Sequence, residues 1–382
     1  MTQTFADRVT RVEPSATIAI SNLASELEAD GVDVVDLSVG EPDFPTPQNV
    51  VEAGKQAIDD GHTGYAPSNG IPQLREAIVE KFEADGLSYG TDELIVTPGG
   101  KQALFEVFMA LLDEDDEVVL FDPAWVSYEA MAKMAGASIE RVDLSPYDFQ
   151  LEPALDELAE VVTDDTSLIV VNSPSNPTGA VFSDAALEGV RDLAVEHDVM
   201  ALSDEIYQEI TYGTDMTSLG SLDGMEGRTI TLNGFSKAYS MTGWRLGYVG
   251  LPADLHEQAA KIQSHSVTCA THFVQYAGLE ALTNTDEAVA EMRDAFHERR
   301  DMLLELFEEH DKDVATPEGA FYMMLPVDDD DQAWCEGAIE DAHVATVPGS
   351  AFGTPGYARL SYAASEGRLR EAVERLADND YI

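Results

Sequence analysis

Between residues 93 and 250 the chain alternates short apolar runs with longer stretches in which apolar residues recur at helical spacing. ELIV (93–96), EVVLF (117–121), SLIVV (167–171), VMAL (199–202), TITLN (229–233) and LGYVG (246–250) predict strands. KQALFEVFMALL (101–112), AWVSYEAMAKMAG (124–136) and DAALEGVRDLAVEH (184–197) predict the helices between them. Strand and helix in alternation build a mostly parallel sheet with helices on both faces, an α/β fold. Beyond 250 the pattern turns helical, with one long run over 286–309. Strand and turn signals follow at GAFYMML (319–325), AHVATVPG (342–349) and YARLSYA (357–363), then a closing helix over about 365–377. That is the pattern of a smaller α+β domain. A helix followed by VVDLSVGEPDF within 15–47 is expected to pack on it. The expected division is therefore 1–47 as an N-terminal arm and part of the small domain, 48–285 as the large domain, and 286–382 as the rest of the small one.

Charge changes the picture of the surface. The 382 residues carry 73 Asp and Glu against 21 Lys and Arg, a formal net charge of −52. Nucleic-acid phosphates would be repelled, so no nucleic-acid partner is expected. The acids decorate every segment rather than a tail, which points to a folded protein with an acidic surface, suited to a cytoplasm of molar salt where charges are screened over about 3 Å. The acidic runs Asp113 to Glu117 and Asp328 to Asp331 read as solvated loops. No apolar run approaches a membrane span, and MTQTFADRVTRVEPS lacks the apolar core of a secretory signal, so a cytoplasmic location is expected. Cys269 and Cys335 are too few for a disulfide framework or a cysteine metal site. His62, His197 and His297 read as surface or structural, and no metal is expected.

In parallel sheets ligands bind beyond the carboxyl ends of the strands, and four features fall there. TPGGKQAL (97–104) leaves a strand and opens a helix: Gly99 and Gly100 let the backbone approach a phosphate that the helix N-terminus favours, although a plain tight turn reads equally well. NSPSNPTG (172–179) is a Pro-rich loop that offers the Asn176 amide. SDEIY (203–207) sets Asp204 just after an apolar run, where an acid is costly without a partner, a heterocyclic cation being one such partner. NGFSKAYSMTGWRLGY (233–248) holds Lys237 among small, aromatic and hydroxyl residues, with no other charge before Arg245. Only seven lysines occur in the chain, and one in a largely uncharged pocket is suited to a Schiff base. A phosphate cup, a carboxylate, a lysine and an arginine together make the complement that pyridoxal phosphate requires.

GEPDF, GYAPSNG, GGKQAL, NSPSNPTG, SDEIY, SKAYSMTGWRLGY and RLSYA follow one another over essentially the whole chain. In that order they resemble the fold type I, class I aminotransferases, most closely the bacterial and archaeal aspartate aminotransferase branch. The resemblance implies pyridoxal 5'-phosphate as cofactor and a homodimer with shared active sites, acting on amino acids and 2-oxo acids. It implies that Lys237 anchors the coenzyme and later moves a proton, that Asp204 pairs with the pyridine nitrogen, and that Tyr207 and Asn176 hydrogen-bond the phenolic oxygen. Trp125 would stack on the ring. The phosphate would be held near Gly100 and Lys101, by Ser236 and Arg245, and by Tyr65 from the other subunit. Arg359 would take the substrate α-carboxylate, with Gly40 leaving room for it. Ser15, Thr17 and Lys101 match positions beside the substrate side chain and favour an acidic donor. SHSVTCATHF (264–273), with His265, Cys269 and His272, departs from the branch near an expected active-site wall. The alternatives are a prephenate, aromatic or alanine aminotransferase, or a lyase on the same fold. A ligand-sensing regulator would need a further nucleic-acid-binding domain, and an acidic binding protein would leave Lys237, Asp204 and Arg359 without a purpose.

Overall fold

The structure is a computed structural model that describes residues 5–14, 16–327 and 330–382, the side chains of 16–19 excepted. Among the described residues there are twelve strands: β1 (Val35–Asp36), β2 (Leu94–Thr97), β3 (Glu117–Asp122), β4 (Ser138–Asp143), β5 (Thr166–Asn172), β6 (Met200–Asp204), β7 (Thr229–Gly234), β8 (Gly247–Gly250), β9 (Tyr322–Pro326), β10 (Val344–Ala345), β11 (Val347–Pro348) and β12 (Tyr357–Ser361). Seven form one sheet in the order β2-β8-β7-β6-β5-β3-β4. The run from β7 to β4 is parallel, and β8 lies antiparallel to both its neighbours. The six expected strands of this region are all present within one or two residues, because each is an apolar run buried on both faces.

β4 was not among the expected strands. Its sequence SIERVD alternates exposed and half-buried residues, since it closes the sheet as an edge with charged side chains turned to solvent. The helices run at Gly100–Leu111, Val126–Ala135 and Asp184–Glu196, as the spacing predicts. In the first, Ala103, Leu104, Val107 and Phe108 are fully buried along one stripe, and the face joins a core that includes Leu168 and Ile230 of the sheet. Leu104, Val107 and Phe108 each contribute about 1.5–3 kcal/mol of burial.

β9, β12 and β11 form a second, antiparallel sheet, and β1 pairs in parallel with β10. The chain then continues from β1 beside β12, where the Ser361 N–H donates to the Leu37 carbonyl at 2.8 Å. This placement brings residues 38–40 next to Arg359, at the middle of β12. The acidic run ending at Asp331 is corrected at that residue. Asp331 opens the helix Asp331–Asp341, is buried, and accepts the Ser350 N–H, so it is a structural carboxylate rather than a solvated one. Among the described residues no helix is long and apolar enough to cross a membrane.

Candidate active site

β2 points the same way as β7 because each lies antiparallel to β8, with Thr97 and Gly234 both opposite Gly247. The carboxyl ends of β2, β3, β5, β6 and β7 therefore open on one edge of the sheet. A cavity of about 440 Å³ lies there, closed on its other side by residues 38–41, Tyr322 and Arg359. Four bases line it, Lys101, Lys237, Arg245 and Arg359, against two acids, Glu41 and Asp204. In a chain of net charge −52 this reversal makes the cavity a local anion site.

Asp204 closes β6 and is buried. Its Oδ2 accepts the Tyr128 hydroxyl at 2.6 Å and its Oδ1 the Ile206 N–H at 3.3 Å. Burial pushes the carboxyl up to about 6, against the opposing effects of those two bonds and the Lys237 charge. A carboxylate so placed is stabilised by a cationic partner in the cavity. Asn172, at the end of β5, fixes the neighbouring backbone: its amide donates to the Asp204 carbonyl at 3.0 Å and its Oδ1 accepts the Asn176 N–H at 2.9 Å.

Lys237 follows β7 by three residues. Its Nζ donates to the Gly40 carbonyl and lies 5.5 Å from the Tyr207 ring centre. The Tyr207 hydroxyl meets that of Tyr322 at 2.9 Å, both rings being buried. Burial and the Tyr322 oxygen push the Tyr207 phenol well above its ordinary range. A Cβ on Gly40 would come within 2.5 Å of the Tyr322 hydroxyl, so only glycine lets this backbone reach Lys237.

On the opposite wall Gly99 has φ +86°, and a Cβ there would lie 2.6 Å from Arg245 Nη2. The left-handed backbone and the missing side chain let the guanidinium close on the start of the helix Gly100–Leu111, whose free N–H groups favour an anion. Ser236 joins this wall. Lys101 stands at the rim with Nζ 4.7 Å from the Trp125 ring centre. Partial desolvation, with Arg245 and Lys237 near by, holds its ammonium below the usual lysine range.

Arg359 is buried, and burial lowers its affinity for the proton. Nη1 donates to Asn176 Oδ1 at 3.0 Å, Nη2 donates to the Ser38 carbonyl, and Nε has no partner among the described residues. Its guanidinium rests 4.7 Å from the Tyr322 ring centre and 5.1 Å from that of Phe352. A buried fork beside two aromatic rings with a donor to spare is suited to a carboxylate.

The cavity thus gathers Gly40, Gly100, Lys101, Trp125, Asn176, Asp204, Tyr207, Ser236, Lys237, Arg245 and Arg359. Gly99 backs Arg245. Tyr65 does not line the cavity of its own chain and is 87% exposed. Ser15 and the side chain of Thr17 lie outside the described residues. His265, Cys269 and His272 do not line the cavity within this chain: the helix Ala253–Ser266 packs against the helix Gly100–Leu111, and His272 Nδ1 lies 3.2 Å from the Gly64 carbonyl, beside Tyr65. Sequence reasoning missed Tyr128, Tyr322, Ser38 and Asn172. Tyr128 sits one turn into a helix read as apolar and Tyr322 within an apolar strand. Asn172 was in view as the first residue of NSPSNPTG.

The chain matches the family described as Aminotransferase class I and II over residues 32–376. It is 45% identical over 377 residues to the aspartate/prephenate aminotransferase of Thermus thermophilus, covering 97% of each chain. It is 39% identical over 385 residues to the aspartate aminotransferase of Bacillus subtilis, covering 97% of this chain and 98% of that one. The solved structure of the aspartate aminotransferase from Thermus thermophilus with maleate superposes with a TM-score of 0.95 at 44% identity, covering 98% of this chain and 99% of that one. The chain belongs to the class I and II aminotransferases.

Proposed function

We propose that the enzyme is an aspartate aminotransferase that moves the amino group of L-aspartate to 2-oxoglutarate by a ping-pong route using pyridoxal 5'-phosphate. The observation that carries this reading is the convergence of Lys237, Asp204 and Arg359 on one cavity with a basic phosphate wall. The residues fit the coenzyme: the raised carboxyl of Asp204 calls for a pyridinium nitrogen, and the Gly99–Arg245 corner is shaped for an anion. When bound, the coenzyme supplies an electron sink for the substrate Cα. Lys237 Nζ anchors it and, once released, moves the proton at Cα. Asp204, oriented by Tyr128, keeps the ring nitrogen protonated. Asn176 and Tyr207 would hydrogen-bond the phenolic oxygen, Trp125 would cover the ring, and the backbone at Gly100 and Lys101, with Ser236 and Arg245, would hold the phosphate. Arg359 orients the substrate through its α-carboxylate, with Gly40 leaving the space. The division at 47 and 285 into a large and a small domain, with the small one closing to exclude water, completes the reading.

Tyr65 is proposed to serve the partner's site in a homodimer, which its exposure and its distance from its own chain's cavity support. A cytoplasm of molar salt is proposed from the charge of −52. The folded enzyme should then melt at a higher temperature in molar KCl than in dilute buffer, since the screening length falls from about 30 Å at 0.01 M to about 3 Å at 1 M. A flat or falling melting temperature across a salt series would contradict the salt adaptation.

Lys101, with Ser15 and Thr17, is proposed to receive the distal carboxylate of an acidic donor. An apolar donor strands the Lys101 charge in a closed site. In a screen of amino donors against 2-oxoglutarate, aspartate and glutamate should exceed phenylalanine and alanine by roughly 100-fold in kcat/KM, for a contact of about 3 kcal/mol. Lys101→Met should shrink that ratio by weakening the acidic donors. Preference for aromatic or small donors would place the enzyme in another branch. A second reading, transamination of prephenate, is favoured by the name of the Thermus relative, and prephenate as acceptor in the same screen tests it.

A further inference from the structure

The segment that leads from Lys237 to Arg245 is strained at two positions. Ser240 (φ 50°) and Arg245 (φ 55°) both adopt left-handed backbone although neither is glycine. Such conformations persist where the surroundings over-determine them. The surroundings here are a strap formed by residues 41–46, which crosses the turn. The strap is fixed to the helix Asp286–Glu309 by the ion pair of Asp43 with Arg299 at 2.7 Å. Glu41 accepts the Thr242 hydroxyl.

The remaining contacts converge on one hydroxyl. Thr46 Oγ1 donates to the carbonyl of Ser240, the first strained residue, and accepts the indole N–H of Trp244 at 3.0 Å, the residue before the second. The Trp244 ring lies over Gly54 of the helix Gln48–Asp59, where a Cβ would come within 2.7 Å of it, so the indole has a seat cut to its shape. Arg245 in turn donates from Nη1 to the Thr242 carbonyl at 2.8 Å and presses its Nη2 against the Gly99 corner. A single threonine thus grips both ends of the turn that aims the guanidinium.

We propose that Thr46 is a positioning residue for the phosphate end of the coenzyme site, locking the Ser240–Trp244 turn so that Arg245 holds its left-handed backbone. The inference rests on the reading of the cavity as a pyridoxal phosphate site. Thr46 does not line the cavity and acts only through Arg245.

The test is the equilibrium affinity for pyridoxal 5'-phosphate, measured by titrating the apoenzyme and following protein fluorescence and the coenzyme absorbance band. Thr46→Val keeps the shape and removes both bonds. It should raise the coenzyme Kd by about tenfold, as a lost pair of hydrogen bonds implies. Thr46→Ser should restore the wild-type Kd, and Trp244→Phe, which removes the indole donor together with the part of the ring that sits over Gly54, should reproduce at least part of the loss. In an Arg245→Ala background, Thr46→Val should add nothing further, because interacting residues are not additive. An unchanged Kd in both Thr46→Val and Trp244→Phe, or a loss that adds in full to that of Arg245→Ala, would overturn the proposal. A wild-type chain that binds no coenzyme would overturn the underlying reading, and this inference with it.

Discussion

Lys237→Ala is expected to lower transamination by at least roughly 10,000-fold, since one side chain carries both the covalent anchor and the proton transfer at Cα. The fold should survive, because among the described residues the Lys237 amine makes one hydrogen bond, to the Gly40 carbonyl at the cavity wall. Coenzyme should still bind through Asp204 and the phosphate wall but should no longer be covalently attached. Lys101→Ala makes the contrast: its amine is at the rim against Trp125, so the covalent coenzyme band should remain. Steady-state rates with aspartate and the absorbance spectra of both variants decide the matter. Retained turnover in Lys237→Ala would exclude it as the anchor.

Arg359→Lys is expected to cost about 3 kcal/mol of transition-state binding, hence roughly 100-fold in kcat/KM, for every amino donor alike. An ammonium cannot bond Asn176 Oδ1, the Ser38 carbonyl and a substrate carboxylate in one plane, as the guanidinium is placed to do. It also loses the seat beside Tyr322 and Phe352. The uniform loss distinguishes this arginine from Lys101, whose removal should penalise acidic donors selectively. Kinetics with aspartate and alanine side by side separate the two, and a loss confined to aspartate would assign Arg359 to the distal carboxylate instead.

The large sheet was legible because burial on both faces writes continuous apolar runs into the sequence. β4 was not, since an edge strand with one solvated face carries the charged pattern of a loop. In the site, residues at turns stood out: a lysine in a charge-poor turn, an acid after an apolar run, paired glycines before a helix. Tyr128 and Tyr322 did not stand out, because a buried tyrosine shares the spacing of core residues, and only the three-dimensional arrangement shows its hydroxyl on Asp204 or Tyr207. Asp331 misled for the converse reason: its acidic neighbours suggested solvent, whereas the Ser350 N–H gives the buried carboxylate its partner. The left-handed backbone of Arg245 leaves no mark in composition, although the arginine itself was evident.

The central claim is that this cavity holds pyridoxal 5'-phosphate on Lys237. The most direct measurement is borohydride reduction of the purified enzyme followed by peptide mapping by mass spectrometry. The account predicts one stable coenzyme adduct, on the peptide that carries Lys237 within NGFSKAYSMTGWR. An adduct on any of the other six lysines, or none on an enzyme reduced in the presence of excess coenzyme, would contradict it.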